Sequence, residues 1–347
     1  MLRAVRPHHR RHHDLLVLEE LLVTAVVEDE GDLGFALDLG EYFSKTSRAI
    51  REAELRVLRG DFSNVAKFYA LVPKRSLVFL VCARSAVIGA VGSGDIALFD
   101  TILKDIAAFS ANYGTAESRL AVEIETLWIA DFLHVSYSVP QWMDALDFSS
   151  FPSAYRHQAA LLALERLVRC GEFRAAEALA ESLLSLSPAS VCALGSPSEV
   201  RVKFLRAQLC LNELRMEAAE HWTLEAVKSA AIHNVVLPFL GEAFGPKSIF
   251  ERSLLSESPE LLECLRQRGS DYLRQLVRFH NHHTGESITE RLAPREFNLA
   301  CALKRGLRYK EIAAHMGITY GHMKNMVAEL YETLGIRQSS ELKGLVW

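Results

Sequence analysis

Apolar residues recur along this chain at intervals of three and four, the period of helices that bury one face. Between about Lys45 and Ala230 these stretches come in pairs: an apolar helix, a short polar break that usually holds Gly-Asp or Gly-Glu, then a second amphipathic helix. Four such units are legible, with breaks in Val57–Phe62, Ala90–Ile96, Leu167–Phe173 and Leu209–Leu214. Gly60 and Gly94 lie 34 residues apart and Glu172 and Glu213 lie 41 apart, while the 77 residues from Gly94 to Gly171 leave room for a degenerate unit breaking near His134–Ser138. The pattern predicts stacked helical hairpins. In each break a glycine or asparagine ends the first helix by taking positive φ, and an acidic residue opens the next helix near its positive dipole end. A lone hairpin could not cover its apolar face, but neighbours in a stack can, which accounts for helices as apolar as Ser76–Val91 and Tyr155–Leu167.

Beyond the hairpins the pattern changes. His233–Phe250, with Val236-Leu-Pro-Phe239 and Phe244-Gly-Pro246, breaks the helical period, Ser258–Phe279 restores it, and Asn281–Ser287 is polar enough to be a linker. From Leu292 a compact set of short helices follows. Pro294 suits a first helical turn, Gly306 ends that helix, Lys310-Glu-Ile-Ala313 opens a second, and Thr319 is placed to cap a third. In the third helix Met323, Val327, Leu330 and Leu334 share one buried stripe, so Lys324, Asn325 and Ala328 face outward, with His322 near the helix start.

Composition sharpens this division. A chain of 347 residues, half of them hydrophobic, can bury more than one core. The net charge of −4 hides a local asymmetry: residues 291–347 hold nine Lys/Arg against five Glu, or +4, leaving −8 on the preceding 290. The six cysteines are scattered without a C-x-x-C pair, which fits reduced thiols and gives no zinc or disulfide pattern. Leu77–Val91 is interrupted by Arg84 and Ser85 and is too short to span a membrane. Asp14, Glu19 and Glu20 interrupt the apolar run after the basic leader, so no signal-peptide core is present and a cytoplasmic location is expected. The pairs His8-His9 and His12-His13 are read as leader residues, and His280, His282 and His283 as linker residues, rather than metal ligands. Gly40–Thr46 lacks the second glycine of a phosphate-binding loop, and Gly92-Ser-Gly94 is not a nucleophile elbow. A non-enzymatic protein with no cofactor and no bound metal is therefore expected.

The segment from Leu292 to Arg337 resembles the DNA-binding domain of LuxR-family transcriptional regulators over its whole length, and the hairpins resemble tetratricopeptide repeats as found in MalT-like regulators, without their ATPase module. The resemblance implies an all-α protein: residues 1–44 a leader with first helices, 45–280 a helical-repeat sensor domain, 281–290 a linker, and 291–347 a four-helix helix-turn-helix domain. Its function would be sequence-specific binding of double-stranded DNA. Carried over from the family, Lys324 and Asn325 read base edges with His322 and Ala328 beside them, while Arg308, Lys310, Thr319 and Tyr320 hold phosphates. Dimerisation would use the last helix, Ser339–Trp347, through Leu342, Leu345 and Val346. Implied partners are DNA, a second copy of the chain, RNA polymerase, and a small-molecule or protein effector on the repeats, with no membrane. This chain departs from the family at His322, Met326, Glu329, Glu332 and Thr333, where the family is more basic or neutral. Those departures support an alternative: a helical-repeat scaffold or antagonist whose helix-turn-helix has lost productive DNA binding.

Overall fold

A computed structural model of the chain describes residues 52–74, 77–112, 115–151, 153–185, 197–240, 248–285, 292–304 and 306–344. The leader 1–44, with its histidine pairs, lies outside them. The described residues form helices joined by short turns, with no strand among them. Five hairpins come first. They pair α1 (52–58) with α2 (Val65–Leu71), α3 (Leu77–Ser93) with α4 (Ile96–Asn112), α5 (Ala116–Phe132) with α6 (Gln141–Ala145), α7 (Ser153–Cys170) with α8 (Phe173–Ser185), and α9 (Pro197–Asn212) with α10 (Met216–His233).

One local device makes every turn. A residue in the left-handed region ends the first helix, at Gly60, Gly94, His134, Gly171 and Leu214, with φ between 58° and 75°. The next N–H then reaches back five residues: Asp61 to the Arg56 carbonyl, Asp95 to Ala90, Val135 to Ala130, Glu172 to Leu167 and Arg215 to Cys210, at 2.7–3.0 Å. Asp95 also caps α4, its carboxylate accepting from Leu98 N–H at 2.9 Å. The degenerate unit thus breaks at His134, within the span expected for it. The fourth legible break differs from expectation, since Leu214 takes positive φ and Asn212 remains the last residue of α9. Asn212 stays helical because its side chain is buried and held by tertiary partners, described below.

The hairpins close into a ring. Val236 N–H donates to the Leu58 carbonyl at 2.8 Å, and Arg59 Nε–H donates to the His233 carbonyl at 3.0 Å, joining the last hairpin to the first. Leu58 and side chains of α3, α5, α7 and α9 line a central lumen, so the first helix of each hairpin faces inward. Burial follows. α3 is apolar over most of its surface because neighbours cover it, with Phe79, Leu80, Ala83, Ala86, Val87 and Val91 at no more than 1% exposed, and its polar Arg84 and Ser85 face the lumen. Gly89 and Gly92 let α3 approach the first hairpin closely: a Cβ on Gly92 would lie 2.2 Å from the Phe62 ring and one on Gly89 2.5 Å from Val65.

After the ring come α11 (Leu237–Leu240), α12 (Ile249–Glu257) and the long α13 (Pro259–Thr284). Pro259 starts α13 at the first-turn position, and Gly285, with φ 70°, ends it. The expected linker therefore begins late. Residues 281–284 continue the helix, because a polar composition does not stop a helix and the first left-handed residue is Gly285. His280, His282 and His283 are accordingly helical: His280 is fully buried on the stripe of Leu273, Leu276 and Phe279, and His282 Nε2 lies 2.7 Å from Asp100. α13 packs on α3, and Arg268 hydrogen-bonds the turn carbonyls of Arg59 and Gly60. The remaining helices are α14 (Pro294–Lys304), α15 (Tyr309–Met316), α16 (Tyr320–Leu334) and α17 (Ser339–Gly344). Among the described residues no helix is long and apolar enough to cross a membrane.

Candidate nucleic-acid interface

The last four helices enclose their own core, built on Phe297, Leu299, Ala300, Met323, Val327 and Leu330. Each helix starts and stops where local chemistry requires. Glu296 accepts from Ala293 N–H at 2.7 Å before α14, and Glu311 accepts from Arg308 N–H at 2.6 Å before α15, each in the manner of a capping box. Gly306, Gly317 and Gly335 end α14, α15 and α16 at φ 88°, 62° and 69°. Thr319 caps α16, its hydroxyl accepting from His322 N–H at 3.2 Å. Only two residues, Ile318 and Thr319, separate the Gly317 stop from α16, so a short turn joins α15 to α16.

The expected stripe of α16 is buried: Met323, Val327, Leu330 and Leu334 are all at 9% exposure or less. Its opposite face is open. Tyr320, His322, Lys324 and Asn325 are exposed on its first two turns and Ala328 on the third. The Lys324 ammonium sits 4.9 Å from the centre of the Tyr320 ring, which holds both side chains on one side of the helix. Lys310 is exposed in the first turn of α15. Arg308 is exposed too, but its guanidinium is paired with the buried Glu311, so part of its charge is already answered within the domain. Sequence pattern alone does not mark Glu311, because Arg308 stands where a capping box has Ser or Thr. On α16 itself one lysine faces two glutamates, Glu329 and Glu332, giving the helix a charge of −1.

One expected contact residue is placed otherwise. Leu342 is fully buried, where α17 packs back on α14, so its side chain completes the domain core and offers no surface to a second copy. The 3.6-residue period could show that Leu342 lies on an apolar face, but not which body covers that face. Leu345 and Val346 lie outside the described residues.

The domain does not hang free. Its α15 packs on α9 of the ring, where His315 Nε2 and Asn212 Oδ1 are hydrogen-bonded at 2.8 Å, and Ala314 joins the cluster of Cys210, Ala219 and Trp222. Asn212 also donates to the Val168 carbonyl at 3.5 Å, which explains its helical, buried state. Phe297 of α14 meets the His280 ring at 5.1 Å and the His134 ring at 5.7 Å, while His280 Nδ1 lies 2.6 Å from the Leu133 carbonyl. These contacts use α14 and α15, whereas α16 packs on those two helices and keeps its polar face toward solvent. Comparisons with protein-family models, with curated proteins and with solved structures return no match.

Proposed function

We propose that the chain is a sequence-specific DNA-binding regulator whose hairpin ring acts as the sensor and whose α16 enters the major groove. The observation that carries this reading is the exposed face of Tyr320, His322, Lys324, Asn325 and Ala328 on a Thr319-capped helix set against α15 by a two-residue turn. Lysine is suited to guanine O6 and N7 and asparagine to adenine N6 and N7, so Lys324 and Asn325 supply two different base preferences. Lys310 and Tyr320 flank them toward the backbone phosphates. Binding as a homodimer to a two-fold symmetric site belongs to the proposal, as does an RNA polymerase contact, with Leu342 removed from the dimer surface.

The test is selection of duplexes from a random pool by the full chain, followed by titration at several salt concentrations. Lys324→Ala is expected to weaken the selected site by roughly 1–3 kcal/mol, about fivefold or more, and Asn325→Ala to relax one base position. Unchanged affinity in both variants overturns the assignment of the reading face. The charge of −1 on α16 favours a second reading, a scaffold that binds another protein through the ring; a folded chain with no salt-sensitive DNA binding would select it.

A further inference from the structure

Lys324, assigned above to a guanine edge, is a point charge on a flexible four-carbon stem, so its base preference depends on what holds the ammonium. Its neighbours on the helix surface lie three and four positions away. Toward the C-terminus these are Val327, buried in the domain core, and Ala328; toward the N-terminus they are Gly321 and Tyr320. None is acidic, and among the described residues no carboxylate is ion-paired with Lys324. Of the four, Tyr320 alone has a group to offer. Helical side chains lean toward the N-terminus, so residue 324 reaches back over residue 320. The Lys324 ammonium accordingly lies 4.9 Å from the centre of the Tyr320 ring, close enough for a cation–π contact.

Tyr320 is itself held at its backbone. It is the first residue of α16, directly after Thr319, whose hydroxyl accepts from His322 N–H at 3.2 Å and whose carbonyl accepts from Met323 N–H at 3.0 Å. Its side chain remains 43% exposed, on the open side of the helix. A ring attracts a cation without cancelling its charge, which a carboxylate would do. Arg308 is the contrast, since its guanidinium is spent on Glu311. An ammonium has three N–H donors, so one seated on a ring can still turn the others to two acceptors such as guanine O6 and N7. Fixing a lysine stem costs rotamer freedom, and a ring that restrains it before DNA arrives removes part of that cost from binding.

We propose that Tyr320 is a specificity-determining residue: its ring holds the Lys324 ammonium toward the base edge, while its hydroxyl makes the sequence-independent phosphate contact. This rests on the reading of α16 given above. The two parts of the side chain then have separable effects. Loss of the hydroxyl weakens every duplex alike, because a phosphate carries no sequence information. Loss of the ring lowers the preference for guanine at the position that Lys324 reads.

The test uses the full chain and two duplexes: the selected one, and the same duplex with A·T in place of the G·C pair at which Lys324→Ala loses its preference. Their affinity ratio reads base preference alone. Tyr320→Phe should weaken both duplexes and keep the ratio within about twofold of wild type, because the ring remains. Tyr320→Leu should lower the ratio about two- to fivefold, the worth of an exposed cation–π contact. In the Lys324→Ala background, Tyr320→Leu should leave the ratio unchanged. Thermal melts confirm that each variant folds. A ratio unchanged or raised by Tyr320→Leu, lowered as much by Tyr320→Phe, or lowered again in the Lys324→Ala background overturns the proposal. The contact is also read without DNA. After reductive methylation with isotope-labelled formaldehyde, the Lys324 methyl NMR signal, assigned by its absence in Lys324→Ala, should be shifted upfield in wild type and Tyr320→Phe but not in Tyr320→Leu. An unshifted signal in wild type overturns the proposal whether or not DNA binds. A shifted signal in a chain that selects no duplex, or that loses no G·C preference in Lys324→Ala, overturns the reading of α16 and this proposal with it. A selected duplex whose ratio ignores Tyr320 overturns this proposal alone.

Discussion

Replacing Arg84 alone by methionine puts a carboxylate in the wall of the ring without its partner. The Glu125 side chain is 1% exposed and that of Arg84 19%, and the guanidinium satisfies both carboxylate oxygens at once. Burial already pushes the Glu125 carboxyl above the ordinary glutamate range, with Arg84 pulling it back down. Without Arg84 only the upward push remains. Breaking such a pair costs about 3–5 kcal/mol when the orphaned charge stays ionised. The sign of the pH dependence follows. A carboxyl whose folded pKa is raised holds a proton that the unfolded chain has released, so stability is greatest below the ordinary glutamate range and falls as pH rises toward the folded value. The slope reaches about 1.4 kcal/mol per pH unit. Urea unfolding followed by circular dichroism should show Arg84→Met losing most stability at pH 8 and clearly less at pH 5. Adding Glu125→Gln should restore most of the loss at pH 8, short of about 0.5–1 kcal/mol for the Arg84–Trp128 stacking. An equal loss at both pH values, or a double variant as unstable as the single one, would refute the account of Glu125 as a buried charge held by Arg84.

Three further outcomes are expected. Gly92→Ala should destabilise by about 1–3 kcal/mol despite a better helix former, because its Cβ would meet the Phe62 ring at 2.2 Å, whereas Gly269→Ala in open space on α13 should stabilise by about 0.5–1 kcal/mol; thermal melts compare them. Burial lowers the His157 imidazole to about 4, so its neutral form contributes stability that is complete above the ordinary histidine value and lost as pH falls from about 6.5 toward 4. Melting temperatures of the wild type should drop across that window more steeply than those of His157→Leu. Asn212→Ala removes the hydrogen bond to His315 and should cost the docked state about 1–3 kcal/mol. Amide exchange should then quicken in α14 and α15 while α3 and α5 stay protected, and uniform exchange throughout would show that this contact does not hold the domains together.

How much of this was legible depended on range along the chain. The hairpin turns can be read because each is a six-residue matter: a left-handed residue and one N–H reaching back five positions, at Gly60, Gly94, Gly171 and even the degenerate His134. The buried stripe of α16 and its Thr319 cap were equally local, since a period and a spacing decide them. Leu214 departs from the glycine-or-asparagine pattern because Asn212 is engaged by Val168 and His315 in other elements. α13 ran past its expected end because the stop is Gly285 and not the polar residues before it. Leu342 lies on an apolar face, as its period implies, but that face is covered by α14. Periodicity identifies a face that must be covered, while only the fold decides whether α14 or a second chain covers it. Ring closure, the lumen with Arg84 and Tyr272 in its wall, and the docking of α15 on α9 all join residues separated by tens to hundreds of positions. No local pattern encodes such pairings, because they follow from how the summed rise and twist of five hairpins bring Leu58 to Val236.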